Sequence, residues 1–204
     1  MIKDAIVLEG QVVRLEPLEP HHIDPLMAIA IAKPELYQFT STPINDEQRQ
    51  SYFDLAFKTR DEGSAYPFVM RHLPSERIVG TTRFYQITWP YRNGLIGYTW
   101  FDHLLFGSAL NVESKYLMLQ YAFEKLDFIR VQFNTDTRNK RSEAAILALG
   151  ASYEGTLRAS QVNKDGHVRD NMIFSIIASE WPQVKRLLEQ RLKEKLTRSA
   201  DLLR

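Results

Sequence analysis

The 204-residue chain has no cysteine, which excludes disulfide frameworks, thiolate nucleophiles and thiolate metal sites together. Its chemistry must use oxygen and nitrogen groups. Charge of one sign is also missing: 26 Lys and Arg stand against 25 Asp and Glu, a net charge of +1, so no polycation is available to hold nucleic acid or an anionic membrane by counterion release. Neither is expected as a partner. No run of about 18 apolar residues occurs, and the first ten residues include acids and lack a sustained apolar core. The sequence therefore predicts neither a membrane span nor a secretion signal, and a cytoplasmic location is the default expectation. The five histidines include His21-His22 but no i, i+4 pair on a predicted helix, so no metal site is expected.

What is present is 44% hydrophobic residues, enough for one well-cored domain. The pattern along the chain is mixed. Residues 12–15 form a short strand candidate closed by Pro17, and residues 20–32 have helix-forming content that ends near Pro34. Asn45, with Gln48 in the reciprocal capping position, opens a helix running to about Arg60 and stopped by Gly63. Residues 66–70 and 78–85 read as a hairpin around residues 73–76, with Pro67 marking an edge or a strand start. Asn93-Gly94 predicts a turn before a strand at 95–101 that is apolar on both faces and hence central.

Helical spacing of Val112, Tyr116, Leu119, Phe123 and Leu126 follows, and then Ile129, Val131 and Phe133 alternate with polar residues as in a strand. A strand, helix, strand order with this crossover length implies that the strands at 95–101 and 129–135 pair in parallel. A second helix at 139–149 is ended by Gly150. Asp165-Gly166 supplies the turn of a last hairpin, with arms at 153–161 and 168–177, and a charged helix carrying Leu187, Leu188, Leu192 and Leu196 closes the chain. This divides the chain into one domain at 1–182 and an appended helix at 183–204.

The small-residue turn Gly107-Ser108-Ala109 between the central strand and the apolar helix can aim several backbone N–H groups at an anion, because a helix start leaves its donors unpaired and carries the positive end of the dipole. An anionic ligand is the expectation. Asn139 to Ser142 opens the second helix beside it.

Six pieces in order then resemble the GNAT superfamily of acyl-CoA-dependent N-acyltransferases, within it the group similar to the RimJ/RimL ribosomal-protein N-terminal acetyltransferases. They are Ile96-Gly97-Tyr98-Thr99-Trp100, Asn111-x-Glu113-x-Lys115, Asn139-x-x-Ser142 with Gly150, Glu154-Gly155-x-Leu157-Arg158, Asp165-Gly166 with Arg169-Asp170, and Glu180-Trp181. The resemblance implies an α/β (α+β) fold with a mixed, mostly antiparallel V-shaped sheet flanked by helices. Its two central parallel strands splay so that the pantetheine arm of acetyl-CoA lies in the gap. It implies a pyrophosphate loop at Phe106, Gly107, Ser108, Ala109, Leu110 and Asn111, with three departures: Phe106 replaces the usual cationic or amide side chain, Ala109 replaces a glycine, which is tolerable if its φ is negative, and Asn111 is ordinary for this branch.

The same resemblance implies further cofactor contacts at Thr99, Trp100, Phe101 and Thr135, with a backbone N–H in 99–101 polarising the thioester carbonyl. Asn139 would hold the pantetheine arm and Ser142 would protonate the departing thiolate; local capping is the competing role for both. Arg138, Lys140 and Arg141 cluster where one or two would meet the 3′-phosphate, or stand as a solvated helix start; Arg141 is carried as the cofactor contact. The acid that serves as base in the ribosomal-protein enzymes falls near Gln161, which cannot accept a proton at neutral pH. Asp102, His103 and Glu113 are the candidate replacements, Asp102 first among them. Tyr98 and Trp100 share a strand face, lining an acceptor pocket or packing in the core. The implied reaction moves an acetyl group from acetyl-CoA to a small-molecule amine or a protein N-terminus by direct attack. A CoA-binding module weakened in catalysis is the alternative, and a homodimer is left open.

Overall fold

The computed structural model describes residues 5–163 and 166–201. Its centre is an eight-stranded sheet in the order β1-β2-β3-β4-β5-β6-β8-β7. The strands are β1 (Leu8–Glu9), β2 (Val13–Pro17), β3 (Tyr66–His72), β4 (Arg77–Thr88), β5 (Asn93–Phe101), β6 (Arg130–Asp136), β7 (Ser152–Val162) and β8 (Val168–Ile177). Five helices flank it: α1 (Ile23–Ala32), α2 (Asp46–Asp61), α3 (Leu110–Glu124), α4 (Lys140–Leu147) and α5 (Trp181–Asp201). All pairings are antiparallel except that of β5 with β6. The fold expected from the resemblance is the one observed.

Two cores cover the two faces. Tyr66, Phe68 and Met70 of β3 face one cluster with α3 and α5, while Val69 joins a second with α1, α2 and Trp100. A strand buried on both sides has no polar face to alternate, which is why residues 66–70 read as a continuous apolar run. Pro67 stands second in β3, an interior strand, so the strand-start reading holds and the edge reading does not; its carbonyl accepts from the Leu18 N–H at 3.0 Å.

Asn45 caps α2 as expected, its Oδ1 accepting from the Gln48 N–H at 2.9 Å, but Gln48 Oε1 reaches back to the Ile44 N–H rather than to that of Asn45. Gly150 ends the α4 region at φ +89°. The Asn93-Gly94 turn is a miss. The chain reverses through a 3-10 turn at Trp89–Tyr91, with Arg92 at φ 47°, and both Asn93 and Gly94 already belong to β5. A Cβ at Gly94 would lie 3.2 Å from the Phe128 ring, so a larger residue there would require that ring to shift by a few tenths of an ångström. The Asp165-Gly166 turn lies partly outside the described residues.

Glu113, in the first turn of α3, is 1% exposed and reaches across to the β1–β2 turn, accepting from the N–H groups of Gln11, Val12 and Val13 at 2.7, 2.7 and 2.9 Å. It is a backbone cap for another segment and is excluded as the base. The stripe of α5 also differs from the leucine reading: Trp181, Val184, Leu188 and Leu192 are buried in the larger core, whereas Leu187 is exposed. No helix among the described residues is long and apolar enough to cross a membrane.

Candidate active site

β5 and β6 are paired only at Asn93↔Arg130, Gly94↔Val131 and Leu95↔Gln132. Beyond Leu95 the strands diverge, while β5 stays paired to β4 and β6 to β8. A cavity of about 480 Å³ occupies the divergence, walled by Ile96 to Phe101 on one side and by Phe133, Asn134 and Thr135 on the other. The geometry follows from a bulge. Register slips between β4 and β5 opposite Thr81 and Arg83, with Tyr98 at φ 51°, a left-handed conformation that costs a bulky residue on the order of 1–3 kcal/mol. The extra residue bends β5 away from its parallel partner.

Thr99, Trp100, Phe101, Phe106, Gly107, Ser108, Asn111, Thr135, Asn139, Arg141 and Ser142 all line the cavity. Ala109 and Leu110 do not: both side chains are buried in the larger core. Ala109 has φ −70°, so the methyl needs no strained backbone. Gly107 has φ +81°, and Ser108 Oγ accepts from the Leu110 N–H at 3.2 Å while donating to the Leu105 carbonyl. Asn139 is the N-cap of α4, its Oδ1 accepting from the Ser142 N–H at 3.0 Å. The capping uses the backbone of Ser142 and leaves its hydroxyl facing the cavity, without a hydrogen bond among the described residues.

Asp102 lies outside the lining. Its Oδ1 caps the short turn after β5 by accepting from the Leu104 N–H at 3.0 Å, and it sits 3.4 Å from His103 Nδ1. Asp102 therefore holds the turn, and neither it nor His103 lines the cavity. Tyr98 and Trp100 do share a face, where the Tyr52 ring approaches both at 6.0 and 6.3 Å. They pack and line the cavity at once, and the Trp100 indole N–H donates to the Tyr52 hydroxyl at 3.1 Å.

The electrostatics of the cavity are one-sided. Lys115, Arg141, Arg169, Arg191 and Lys195 line it, and among the described residues no Asp, Glu or His does. Phe106, which departs from the usual pattern, carries Arg141 on its ring with the guanidinium carbon 4.4 Å from the centroid, so the charge absent from the loop arrives from α4. From α5, Lys195 donates to the Gly107 carbonyl and Arg191 lies one turn earlier on the same helix. Sequence reading missed both. Their only signal was i, i+4 spacing beside the apolar stripe, with nothing to say which element the helix would pack against.

Lys115 is the other omission. It is 5% exposed, and its Nζ donates to Thr82 Oγ1 at 2.8 Å and Thr99 Oγ1 at 2.6 Å, with no carboxylate among the described residues in contact. Burial pushes its pKa down to about 7. On the opposite wall Tyr37 donates to the Phe101 carbonyl at 2.9 Å, and burial, then Asp102, pushes its hydroxyl up to about 12. Lys115 is thus a group in the cavity that changes charge near neutrality.

Residues 13–152 match the acetyltransferase (GNAT) domain. A solved protein assigned as an acetyltransferase shares 33% identity, with 94% of this chain and 96% of that one aligned at a TM-score of 0.83. Another so assigned, from T. thermophilus, shares 32% over 94% of this chain and 100% of that one at a TM-score of 0.81. The chain belongs to the GNAT acetyltransferase family. RimJ of Mycobacterium smegmatis, in complex with CoA-disulfide, shares the acetyltransferase fold at 21% identity and a TM-score of 0.76, over 92% of this chain and 93% of that one. Among curated proteins no sequence matches. Acetyl transfer is the chemistry of this family and acetyl-CoA its acetyl source. The acetyltransferase residues fit that molecule in a specific respect: Gly107 and Ser108 line the cavity at the start of α3 together with the cations Arg141, Arg191 and Lys195, and among the described residues no acid does.

Proposed function

We propose that the protein is an acetyl-CoA-dependent N-acetyltransferase that acylates a primary amine by direct attack in a ternary complex. The observation that carries the reading is the divergence of β5 from β6 after three paired residues, which leaves a cavity of strand edges leading to a cationic, small-residue helix start. Fold likeness to RimJ of Mycobacterium smegmatis, itself solved with CoA-disulfide, supports it. Bound there, acetyl-CoA supplies an activated thioester carbonyl. Gly107 and Ser108 would hold its pyrophosphate with Arg191, Lys195 and Arg141 around them, and the strand edges of 99–101 and Thr135 would flank the arm.

With no carboxylate on the described wall, the proton of the attacking amine needs another acceptor. Lys115 Nζ, neutral above about pH 7, takes it through the Thr99 hydroxyl that bridges it to the gap. Ser142 Oγ donates a hydrogen bond to the departing sulfur and keeps its proton, while the thiolate takes its proton from solvent as Lys115 returns the amine proton there. Ser142→Ala is expected to lower kcat by about 10-fold or more while leaving acetyl-CoA affinity intact, read by single-turnover and binding assays side by side.

Calorimetric titration with acetyl-CoA, desulfo-CoA and ATP tests the binding half. Micromolar acetyl-CoA affinity well above that of ATP is expected, and a double reversal of Arg191 and Lys195 to Glu should weaken it roughly 100-fold and flatten its salt dependence. Absence of binding would remove the enzyme reading and leave only the fold.

A further inference from the structure

We propose, building on the acetyl-transfer reading, that the acceptor amine carries a carboxylate and that Arg169 binds it. Partners across an antiparallel ladder share a sheet face, and so do residues two apart on one strand. Asn171 is opposite Asp136, so Arg169 and Asn171 project from the same face of β8 as Asn134 and Asp136 from β6. Arg169, Asn171 and Asn134 line the cavity there, across the gap from Tyr85 and Tyr98.

At this end of the cavity the nearest carboxylate, Asp136, attracts Arg169 electrostatically without being bonded to it. The Arg169 side chain makes no hydrogen bond or ion pair among the described residues, and its Nε is buried. The neighbouring carboxylate is not available to it: Asp136 accepts from the N–H, Nε and Nη2 of Arg138 and from Asn163 Nδ2, bonds that hold it at about 2 against the upward push of burial. Asn171 is buried with Oδ1 unpartnered in the cavity wall. Behind Tyr98 lies a second guanidinium, Arg83, 1% exposed, pressed between the rings of Tyr52 and Tyr98 at 4.7 and 4.0 Å, with Nε and Nη2 unpartnered.

Burying guanidinium groups without an anion is costly. A planar carboxylate meets the Arg169 fork at two points. Asn171 Oδ1 is then left to accept an N–H from the same ligand. The cations at Gly107 belong to the other end of the cavity, where the cofactor phosphates fit, so the two charge sets do not compete. An amine of amino-acid size that keeps its carboxylate fits this vestibule better than a protein N-terminus, whose first carboxyl is an amide.

The test is acetylation of a panel of α-amino acids and their carboxamides, with thiol release as the readout and acetyl-CoA binding measured on the same preparation. The acids should exceed their amides in kcat/KM by at least about 10-fold. Arg169→Gln should erase that preference through KM, and Arg169→Lys should restore part of it, with thermal unfolding used to verify that both variants fold. Amides that react as well as acids, or an acid-to-amide ratio unmoved by Arg169→Gln, overturn the inference and leave acetyl transfer standing. Turnover of neither series by protein that binds acetyl-CoA overturns the carboxylate inference alone; failure to bind acetyl-CoA overturns the transfer reading as well.

Discussion

Glu113→Gln is expected to lower the melting temperature by about 8–15 °C, corresponding to roughly 3–5 kcal/mol for a chain of this size. The Glu113 carboxylate is the shared acceptor for three consecutive N–H groups at Gln11, Val12 and Val13, and it is almost wholly removed from water. An amide keeps one oxygen and turns an NH₂ toward donors, so at least one of the three N–H groups loses its acceptor and faces a like group. Gly10 adds to the constraint, because a Cβ there would lie 2.3 Å from the Glu113 carboxyl carbon and no side chain fits beneath the turn. Glu113 does not line the cavity. Enzyme that remains folded at low temperature should therefore keep kcat within about two-fold, far less than loss of a general base costs. Unfolding followed by circular dichroism decides the matter, and a variant with unchanged melting but lost turnover would falsify the structural assignment.

Lys115→Met is expected to act in the opposite direction on stability and strongly on rate. In the folded chain Lys115 gives up its proton near pH 7, whereas the unfolded chain keeps it to about 10.5. Between those values the unfolded state binds more protons, so stability rises with pH across that window; the cost of burying the charge is fully present below about 7 and gone by about 10.5. At about 1.4 kcal/mol per unit, wild type should gain on the order of 2–3 kcal/mol between pH 6 and pH 9 from this group.

Methionine fills a similar volume, carries no charge and leaves Thr82 and Thr99 hydrogen-bonded to each other at 2.8 Å. The variant should thus melt higher than wild type at pH 6, with the difference shrinking by pH 9, while kcat falls about 100-fold or more. Parallel melting curves at the two pH values would show that the charge is not buried as described. A retained pH–rate rise near 7 in the variant would take the proton-accepting role away from Lys115.

The sequence exposed the parts of the fold that rest on local rules. The parallel pairing of β5 and β6 followed from a strand, helix, strand order, and the starts of α2 and α4 followed from Asn45 and Asn139, whose side chains cap them. Local rules failed where packing at a distance decided. Asn93-Gly94 has the composition of a turn, yet its glycine answers to Phe128 from the crossover after α3. The candidate site divides in the same way. Residues on β5, on the loop after it and at the start of α4 were legible because they are close in the chain. Lys115 was visible as a polar residue within the stretch from Glu113 to Lys115 on an apolar helix, but only the burial of α3 gives that charge meaning. Arg169, Arg191 and Lys195 come from β8 and α5, and no spacing in the chain connects them to Gly107 or Tyr98.

The position of α5 has a consequence for how the protein is made. Lys195 reaches the loop at Gly107, with Arg191 one turn before it in the cavity lining, from an element that follows all eight strands of the sheet. During synthesis the complete sheet, with its divergent strands, emerges before the cations at its mouth do. On the acetyl-CoA reading proposed above, a nascent chain that has assembled the gap still lacks these cations, so tight capture of the cofactor phosphates would wait until α5 docks against α3.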